Sequence, residues 1–256
     1  MQPKILAGQR VLVTGAGRGI GAAIARRCGE VGAHIAVNYR SQRDRAQRVV
    51  RWVQDAGSEA MLAPGDVTRS SDVGNVVSNV VQNWGGIEAV VCNAGAPVIR
   101  QRAEDVGWET LQQKVLGELK GAWLMVAETF PYLKESGGAV VFVTSGLAER
   151  PRTGFLAHGV AKAALNSMVR YLAFEWGSYG IRVNAVAPGL VLTDASKEVI
   201  GRQMDAPDVP LGRLATAEEV ADAVVYLLSP QASGLTGVIL PIAGGGHLGS
   251  GGFLRQ

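Results

Sequence analysis

Cysteine and long apolar runs are scarce in this sequence, which excludes several classes of protein. Only two of the 256 residues are cysteine, Cys28 and Cys92, and their spacing fits neither a disulfide framework nor a metal site. HExxH and paired CxxC patterns are absent, so we expect no bound metal. No apolar run has the about 18 residues that a membrane span needs, and the residues around Lys4 lack the apolar stretch of a signal peptide. We therefore expect reduced cysteines, a cytoplasmic location and no membrane partner.

The sequence also has little excess charge of either sign. Its 25 basic and 22 acidic residues leave a formal charge of +3, which does not predict a nucleic-acid partner. The one basic cluster, five arginines between positions 40 and 51, lies on a predicted helix and the turn before it. For its last three members, Arg45, Arg48 and Arg51, a solvated face is the ordinary interpretation. Hydrophobic residues make up 47% of the chain and charged residues 18%, so the composition favours a globular protein with a buried core.

Short apolar runs alternate along the chain with segments of helical length. Seven runs fit buried strands, beginning near Arg10, His34, Ala60, Ala89, Ala139, Arg182 and Val238. This alternation predicts an α/β fold, a Rossmann-type doubly wound, seven-stranded parallel sheet with helices on both faces. We expect one domain over residues 1–256. Its Gly-rich tail, residues 244–256, is expected either to be a flexible end or to dock on a neighbouring subunit.

The strongest local motif is TGAGRGIG, residues 14–21, between the first predicted strand and the first predicted helix. Gly15, Gly19 and Gly21 would permit a tight turn, the close approach of a pyrophosphate and close helix packing. The N–H groups at the start of the helix, including that of Ile20, would bind the anion. A tight turn that binds no ligand is the alternative interpretation.

The motif and others downstream resemble those of the short-chain dehydrogenase/reductase family, in particular its β-ketoacyl-reductase-like members. The resemblance extends over nearly the whole chain through Asn184 and the segment 236–245. It implies that the following residues bind a dinucleotide cofactor: Asp66, Val67, Asn93, Ala94, Gly95, Pro188, Gly189 and Thr193. It also implies a homodimer or homotetramer built from the helices that carry Trp123 and the segment 161–176.

The end of the second predicted strand bears on the choice between NAD(H) and NADP(H). An acidic residue there would bind the ribose 2′-hydroxyl of NAD, but this sequence has Asn38, Tyr39 and Arg40. Arg18 in the glycine loop and Arg40, with Arg43 as a further candidate, offer guanidinium groups to a 2′-phosphate. We therefore predict NADP(H) as the cofactor. The alternative is that these arginines are only solvated.

The resemblance also implies a catalytic site, but two of its four positions differ from the family pattern. Ser145 and Lys162 match the family's serine and lysine, and Lys162 is expected to hold the nicotinamide ribose as well. His158 occupies the position of the usual tyrosine, and Glu118 that of the usual asparagine. We predict Ser145, His158, Lys162 and Glu118 as the catalytic set.

Several functions are compatible with these departures. In carbonyl reduction, a nearby Glu118 carboxylate would raise the pKa of His158 and make it an acid, which we call the compensated dyad. Hydride transfer to a conjugated C=C or to C=N would need no side-chain acid. The alternatives are a non-redox cyclisation or elimination, or a catalytically impaired subunit that pairs with an active homologue. In each enzymatic case we expect a small substrate, polyketide-like or from specialised biosynthesis.

The segments that follow the predicted strands are expected to line the substrate cleft. They contribute Ala96, Pro97, Leu147, Arg150, Arg152, Phe155 and Leu190. Arg150 and Arg152 would either meet an acidic substrate or a carrier phosphate, or remain solvated.

Overall fold

The computed structural model describes residues 4–191, 193 and 209–248. Within them, seven strands form one sheet in the order β3-β2-β1-β4-β5-β6-β7, and every neighbouring pair is parallel. The strands are β1 Arg10–Val13, β2 His34–Tyr39, β3 Ala60–Pro64, β4 Ala89–Cys92, β5 Ala139–Val143, β6 Arg182–Pro188 and β7 Ile239–Ile242. The predicted seven-stranded, single-domain Rossmann-type sheet is confirmed.

Helices cover both faces of this sheet. In the described part of the chain they are α1 Gly19–Glu30, α2 Arg43–Asp55, α3 Ser70–Trp84, α4 Trp108–Ser136, α5 Leu156–Trp176 and α6 Ala217–Leu228. One apolar core joins the sheet to α1, α2 and α6, and a second joins it to α3, α4 and α5. The strands are nearly continuous apolar runs because both of their faces are buried. No helix among the described residues is long and apolar enough to cross a membrane.

The strand order fixes where a ligand can bind. The chain moves outward from β1 through β2 to β3, then returns to place β4 on the other side of β1 and moves outward again to β7. The order therefore reverses between β1 and β4, and the helices that follow these two strands, α1 and α4, pack on opposite faces of the sheet. This arrangement leaves a crevice at the carboxyl ends of the two strands. The glycine loop follows β1, and the Asn93-Ala94-Gly95 segment follows β4.

The first residues of the Gly-rich tail pack on the chain itself. Leu211 N donates to Gly244 O at 3.0 Å, and a guanidinium nitrogen of Arg150 donates to Gly246 O at 2.6 Å. Of the two states expected for the tail, docking is therefore seen for residues 244–248, but on the same chain. Residues 249–256 lie outside the described residues.

Candidate active site

The glycine loop is shaped by two close approaches that a larger residue would prevent. Gly15 has φ +62°, and a Cβ there would lie 3.0 Å from Ala94 Cα. A Cβ at Gly21 would overlap Asn93 Nδ2 and lie 2.5 Å from Gly15 O. Asn93 in turn donates from Nδ2 to Thr14 O at 2.9 Å, so it braces the loop from the neighbouring strand. The predicted glycine positions thus bring the loops after β1 and β4 together.

Helix α1 begins in a way that leaves donors available for an anion. Its N-cap, Arg18, makes no side-chain capping hydrogen bond, and the first turn carries no acidic residue. The first-turn N–H groups of a helix have no partner within the helix, and the helix dipole favours negative charge there. The loop and helix start therefore fit the pyrophosphate of a dinucleotide.

The side-chain amide of Asn38 braces the glycine loop. Its side chain is buried; Oδ1 accepts from Gly15 N at 3.2 Å, while Nδ2 donates to Ala63 O at 3.0 Å and Gly65 O at 3.1 Å. Tyr39 is also buried. The two residues therefore support the site from behind, and Arg40 is the first exposed side chain after β2.

Arg40 lies at the end of β2 with its side chain 71% exposed, and Arg18 is exposed on the glycine loop. An Arg40 guanidinium nitrogen lies 3.8 Å from Asp66 Oδ2. Asp66 also accepts hydrogen bonds from Thr68 N at 3.0 Å and Thr68 Oγ1 at 2.7 Å. The backbone hydrogen bond from Thr68 is the main cause that holds the pKa of Asp66 below its usual value. Asp66 and Arg40 thus form one polar edge beside the Gly65–Val67 turn.

The loop after β6 closes on the same region. Thr193 lies next to the glycine loop, since a Cβ at Gly19 would be 3.6 Å from its methyl group. Gly189 N donates to Ile242 O at 2.9 Å, which ties the end of β6 to β7. The structure therefore brings residues from the loops after β1, β4 and β6 to one edge of the sheet, as predicted.

Ser145 follows β5 and begins a short 3₁₀ turn, residues 146–148. Its Oγ accepts a hydrogen bond from Leu147 N at 3.2 Å. This turn contacts the start of α5, because a Cβ at Gly159 would lie 2.9 Å from Leu147 O. The hydroxyl hydrogen of Ser145 remains available as a donor, since the contact with Leu147 uses the oxygen only as an acceptor.

Lys162 and Glu118 form a buried ion pair that links α5 to α4. Lys162 Nζ donates to Glu118 Oε2 at 2.9 Å and to Val143 O at 2.9 Å. The other carboxylate oxygen, Glu118 Oε1, accepts from Lys114 Nζ at 2.5 Å. Although burial opposes ionisation of Glu118, the two lysines hold its pKa below the usual value. One carboxylate is thus shared by two cations.

His158 is a neutral imidazole near neutral pH. Burial is the main cause that lowers its pKa to about 4, and the charges of Lys114 and Lys162 lower it further. Glu118 acts in the opposite direction, but less strongly than these causes. The compensated dyad is therefore wrong in this structure, because the Glu118 carboxylate is bonded to two lysines and does not make His158 an acid. The Nδ1 atom of His158 is buried without a hydrogen-bond partner in the described part of the chain.

Lys114 is a site residue that sequence reasoning missed. It lies four residues before Glu118, which places both on one face of α4, but the same spacing is common for exposed ion pairs. Here both side chains are almost completely buried. One feature of the sequence could have indicated this burial. The two opposite charges lie on the face of α4 that also carries the buried residues Gly121 and Met125.

The rim of the cleft is formed by two loops that meet. Gln101 N donates to Gly154 O at 2.9 Å, and Gln101 and Phe155 form an isolated parallel bridge. Arg152 is exposed on this rim, whereas Arg150 is committed to Gly246 O. Of the two arginines expected either to meet an acidic substrate or to remain solvated, Arg152 is therefore the more exposed.

Comparisons with known proteins agree with this site. A family model described as enoyl-(acyl carrier protein) reductase matches residues 15–247. A glucose 1-dehydrogenase from Gluconobacter oxydans is 33% identical, over 93% of this chain and 92% of the relative. A cyclohexanol dehydrogenase from Rhodococcus sp. is 34% identical, over 94% of this chain and 96% of the relative. The crystal structure of a 3-ketoacyl-(acyl-carrier-protein) reductase from Brucella melitensis, complexed with NADH, has a TM-score of 0.85 at 31% identity, and the match covers 94% of this chain and 98% of that one.

The fold and the glycine loop define a dinucleotide-binding α/β protein of the oxidoreductase class. With the family match over most of its length, the chain belongs to the short-chain dehydrogenase/reductase family.

Proposed function

We propose that this protein is an NADP(H)-dependent reductase of a small molecule whose hydride acceptor needs no proton from a side chain. The observation that carries this proposal is the site around Lys162. Gly15 of the glycine loop lies so close to Ala94, and Gly95 so close to the Glu118 carboxylate, that neither glycine leaves room for a Cβ. The Glu118 carboxylate in turn holds Lys162 Nζ. A cofactor bound on the glycine loop would therefore extend toward Lys162, Ser145 and His158 at the carboxyl ends of β4 and β5.

The residues around the glycine loop favour NADP(H) over NAD(H). No acidic side chain ends β2, and the exposed Arg40 and Arg18 supply cations where a ribose 2′-phosphate would lie. Asp66 lies near Arg40, but its carboxylate already accepts two hydrogen bonds from Thr68. The predicted cofactor residues are therefore proposed as follows: Gly15, Arg18, Gly19, Ile20 and Gly21 for the pyrophosphate; Arg40 for the 2′-phosphate; Asp66, Val67, Asn93, Ala94 and Gly95 for the adenosine side; and Lys162, Pro188, Gly189 and Thr193 for the nicotinamide side.

A bound nicotinamide would supply a hydride, while the chain would orient the acceptor and stabilise charge. The Ser145 hydroxyl donates to a polar atom of the substrate, since its oxygen is already held by Leu147 N. Lys162 keeps one N–H beyond its bonds to Glu118 and Val143, and this donor is suited to the nicotinamide ribose. Any proton that the reduced product needs would come from water.

His158 decides which acceptors fit best. Because the pKa of the His158 imidazolium is about 4, almost none of the ring carries a second proton at neutral pH. The remaining N–H of a neutral imidazole is a much weaker acid than a phenol, so His158 does not replace a phenol that releases its proton to an alkoxide. Two kinds of acceptor need no proton donor at the reacting atom. After hydride adds to a conjugated C=C, the negative charge spreads to a distant carbonyl oxygen. In an iminium ion, hydride transfer neutralises the positive charge. We therefore place enones and iminium ions above simple ketones. The relatives do not decide this point, because their descriptions name enoyl, ketoacyl and alcohol substrates.

The surface supports assembly of this enzyme as a homodimer or homotetramer. Large apolar side chains are exposed on two helices that pack against each other, namely Leu116 and Trp123 on α4 and Tyr171 and Phe174 on α5. Phe174 is 89% exposed. The two cysteines are buried, and burial raises the pKa of each to about 12, which agrees with a reducing, cytoplasmic location.

Fluorescence titration with NADPH and NADH tests the cofactor assignment. The wild type is expected to bind NADPH more tightly than NADH, and Arg40→Ser to lose about tenfold in NADPH affinity with little change for NADH, because one guanidinium–phosphate pair is removed. Arg51→Ser on the exposed face of α2 is the control and should change neither affinity. Equal affinity of the wild type for both nucleotides would contradict the assignment to NADP(H).

NADPH oxidation against ketones, enones and iminium ions then tests the reaction. Turnover with enones or iminium ions in preference to ketones supports the proposed acceptors. NADPH binding without turnover of any acceptor would overturn the reductase and favour the non-redox enzyme or the impaired partner subunit.

A further inference from the structure

Lys114 is not in the catalytic set predicted from the sequence. It nevertheless belongs to a buried polar cluster that consists of Lys114, Glu118 and Lys162. We infer that Lys114 is a positioning residue that holds one oxygen of the Glu118 carboxylate, so that only the other oxygen is left to bind Lys162. This inference deepens the proposed function and rests on it for the link to NADPH.

The contacts around the carboxylate divide its two oxygens between two helices. Lys114 Nζ donates to Glu118 Oε1 at 2.5 Å within α4, and Lys162 Nζ donates from α5 to Oε2 at 2.9 Å. Lys114 Nζ is also fixed by Ala96 O at 2.5 Å, at the mouth of the loop after β4. The side chains of Lys114 and Glu118 are 3% and 2% exposed, so water cannot replace either partner.

The charges in this cluster show why a second lysine is required. With Lys114 present, two cations and one anion leave the cluster with a net charge of +1, which is also the charge of a lone Lys162. If Lys114 were absent, Glu118 would neutralise Lys162 and turn both of its oxygens toward that ammonium group. Lys114 therefore offsets the glutamate at position 118 and preserves the positive charge of Lys162 for a ligand.

The three charged residues of this cluster also set the electrostatic environment of the His158 ring. The charged groups that act on its ring are Lys114 and Glu118 from α4 and Lys162 from its own helix, α5. Removal of Lys114 alone takes away one of the cations that keep the imidazole neutral, whereas removal of Lys114 together with Glu118 leaves the net charge unchanged. The pKa of His158 therefore reports on the net charge of the cluster, and it can be measured without any catalytic activity.

The test compares Lys114→Met, the paired variant Lys114→Met with Glu118→Gln, and the control Lys120→Met. Lys120 lies on the same helix but is exposed. The readouts are the pKa of the His158 ring by NMR, assigned against His158→Asn, and the NADPH dissociation constant. Lys114→Met should raise the pKa of His158 by about one unit and weaken NADPH binding about tenfold. The paired variant should keep the pKa of His158 near that of the wild type, because the net charge of the cluster is unchanged, and Lys120→Met should stay near the wild type in both readouts.

Each outcome separates this inference from the proposed function. If the wild type does not bind NADPH, the proposed function fails, but the titration of His158 still tests the role of Lys114. The inference is overturned if Lys114→Met leaves the pKa of His158 unchanged, or if the paired variant shifts it as far as Lys114→Met does. Should Lys114→Met not fold, a folded paired variant with a wild-type pKa at His158 supports the charge balance, and a paired variant with a shifted pKa at His158 contradicts it.

Discussion

At the scale of single residues, the resemblance implies a tyrosine and an asparagine where this sequence has His158 and Glu118, so the predicted catalytic set differs from the family pattern in charge as well as in shape. A histidine at position 158 and a glutamate at position 118 were visible in the sequence, and from them the compensated dyad predicted an acidic imidazole. The structure reverses that prediction because the carboxylate is bonded to Lys114 and Lys162. Sequence spacing placed Glu118 near the site, but it did not show that a second lysine on the same helix would also bind the carboxylate.

The low pKa of His158 predicts a loss of stability in mild acid. The unfolded chain protonates this histidine near its ordinary pKa of 6.5, whereas the folded protein does so only near 4. Between pH 6.5 and pH 4 the folded state therefore binds fewer protons than the unfolded chain. The contribution of His158 to the free energy of unfolding is fully present above pH 6.5 and is lost progressively as the pH falls to 4. Between pH 7 and pH 5 the free energy of unfolding should fall by about 2 kcal/mol through this group.

Urea unfolding of the wild type and of His158→Gln at both pH values measures this contribution. The variant should lose about 2 kcal/mol less than the wild type between pH 7 and pH 5, since its side chain does not titrate. Equal losses in the two proteins would show that His158 is as easily protonated in the folded state as in the unfolded chain.

At the scale of elements, the apolar pattern predicted the strands well, because in a parallel sheet both faces of each strand are buried. All seven predicted strands are present, and their observed bounds begin with Arg10, His34, Ala60, Ala89, Ala139, Arg182 and Ile239. The contacts between loops were less predictable. Asn38 is predicted to contact the cofactor from its place at the end of β2, but no periodic pattern indicates that its amide also bonds Gly15, Ala63 and Gly65.

The packing of the loop after β4 against α4 predicts that Gly95→Ala is harmful. A Cβ at Gly95 would lie 2.7 Å from Glu118 Oε1 and 2.8 Å from Oε2. The carboxylate cannot move aside without loss of its bonds to two lysines, so we expect a loss of about 1–3 kcal/mol in the free energy of unfolding. NADPH binding should weaken as well.

Gly177→Ala is the matched control for this substitution. Gly177 has φ −56°, and a Cβ there would meet nothing within 4 Å. Chemical unfolding should therefore show little change for Gly177→Ala. If Gly95→Ala were as stable as the control, the carboxylate would not be held against the loop in the way described.

At the scale of the whole molecule, the sequence predicted one domain and a binding edge, because strand order follows from the alternation of elements and the resemblance to known folds. The oligomeric state is harder to predict from the sequence, because an apolar residue on a helix can lie either in the core or in an interface between subunits. The structure separates these two uses, because it buries Leu165 and Val169 of α5 and exposes Tyr171 and Phe174.

The exposed apolar face of α4 and α5 predicts a defined oligomer. Light scattering after size exclusion should give two or four times the 26.8 kDa of one chain. Phe174→Glu should shift the protein toward the monomer, because it places a charge in an apolar contact. Arg51→Glu on α2, which packs on the opposite face of the sheet, should not. A wild type that is monomeric at micromolar concentration would contradict the proposed assembly.

The central claim is that this site transfers hydride from NADPH to a small acceptor, and isotope transfer tests it most directly. NADPH deuterated at the transferable position of C4 would be incubated with the enzyme and the acceptor panel, and the products analysed by mass spectrometry. We expect one deuterium in the reduced enone or amine, formed by the wild type and lost or strongly slowed in Ser145→Ala. Saturable NADPH binding with no deuterium in any product would contradict the claim and point to chemistry without hydride transfer.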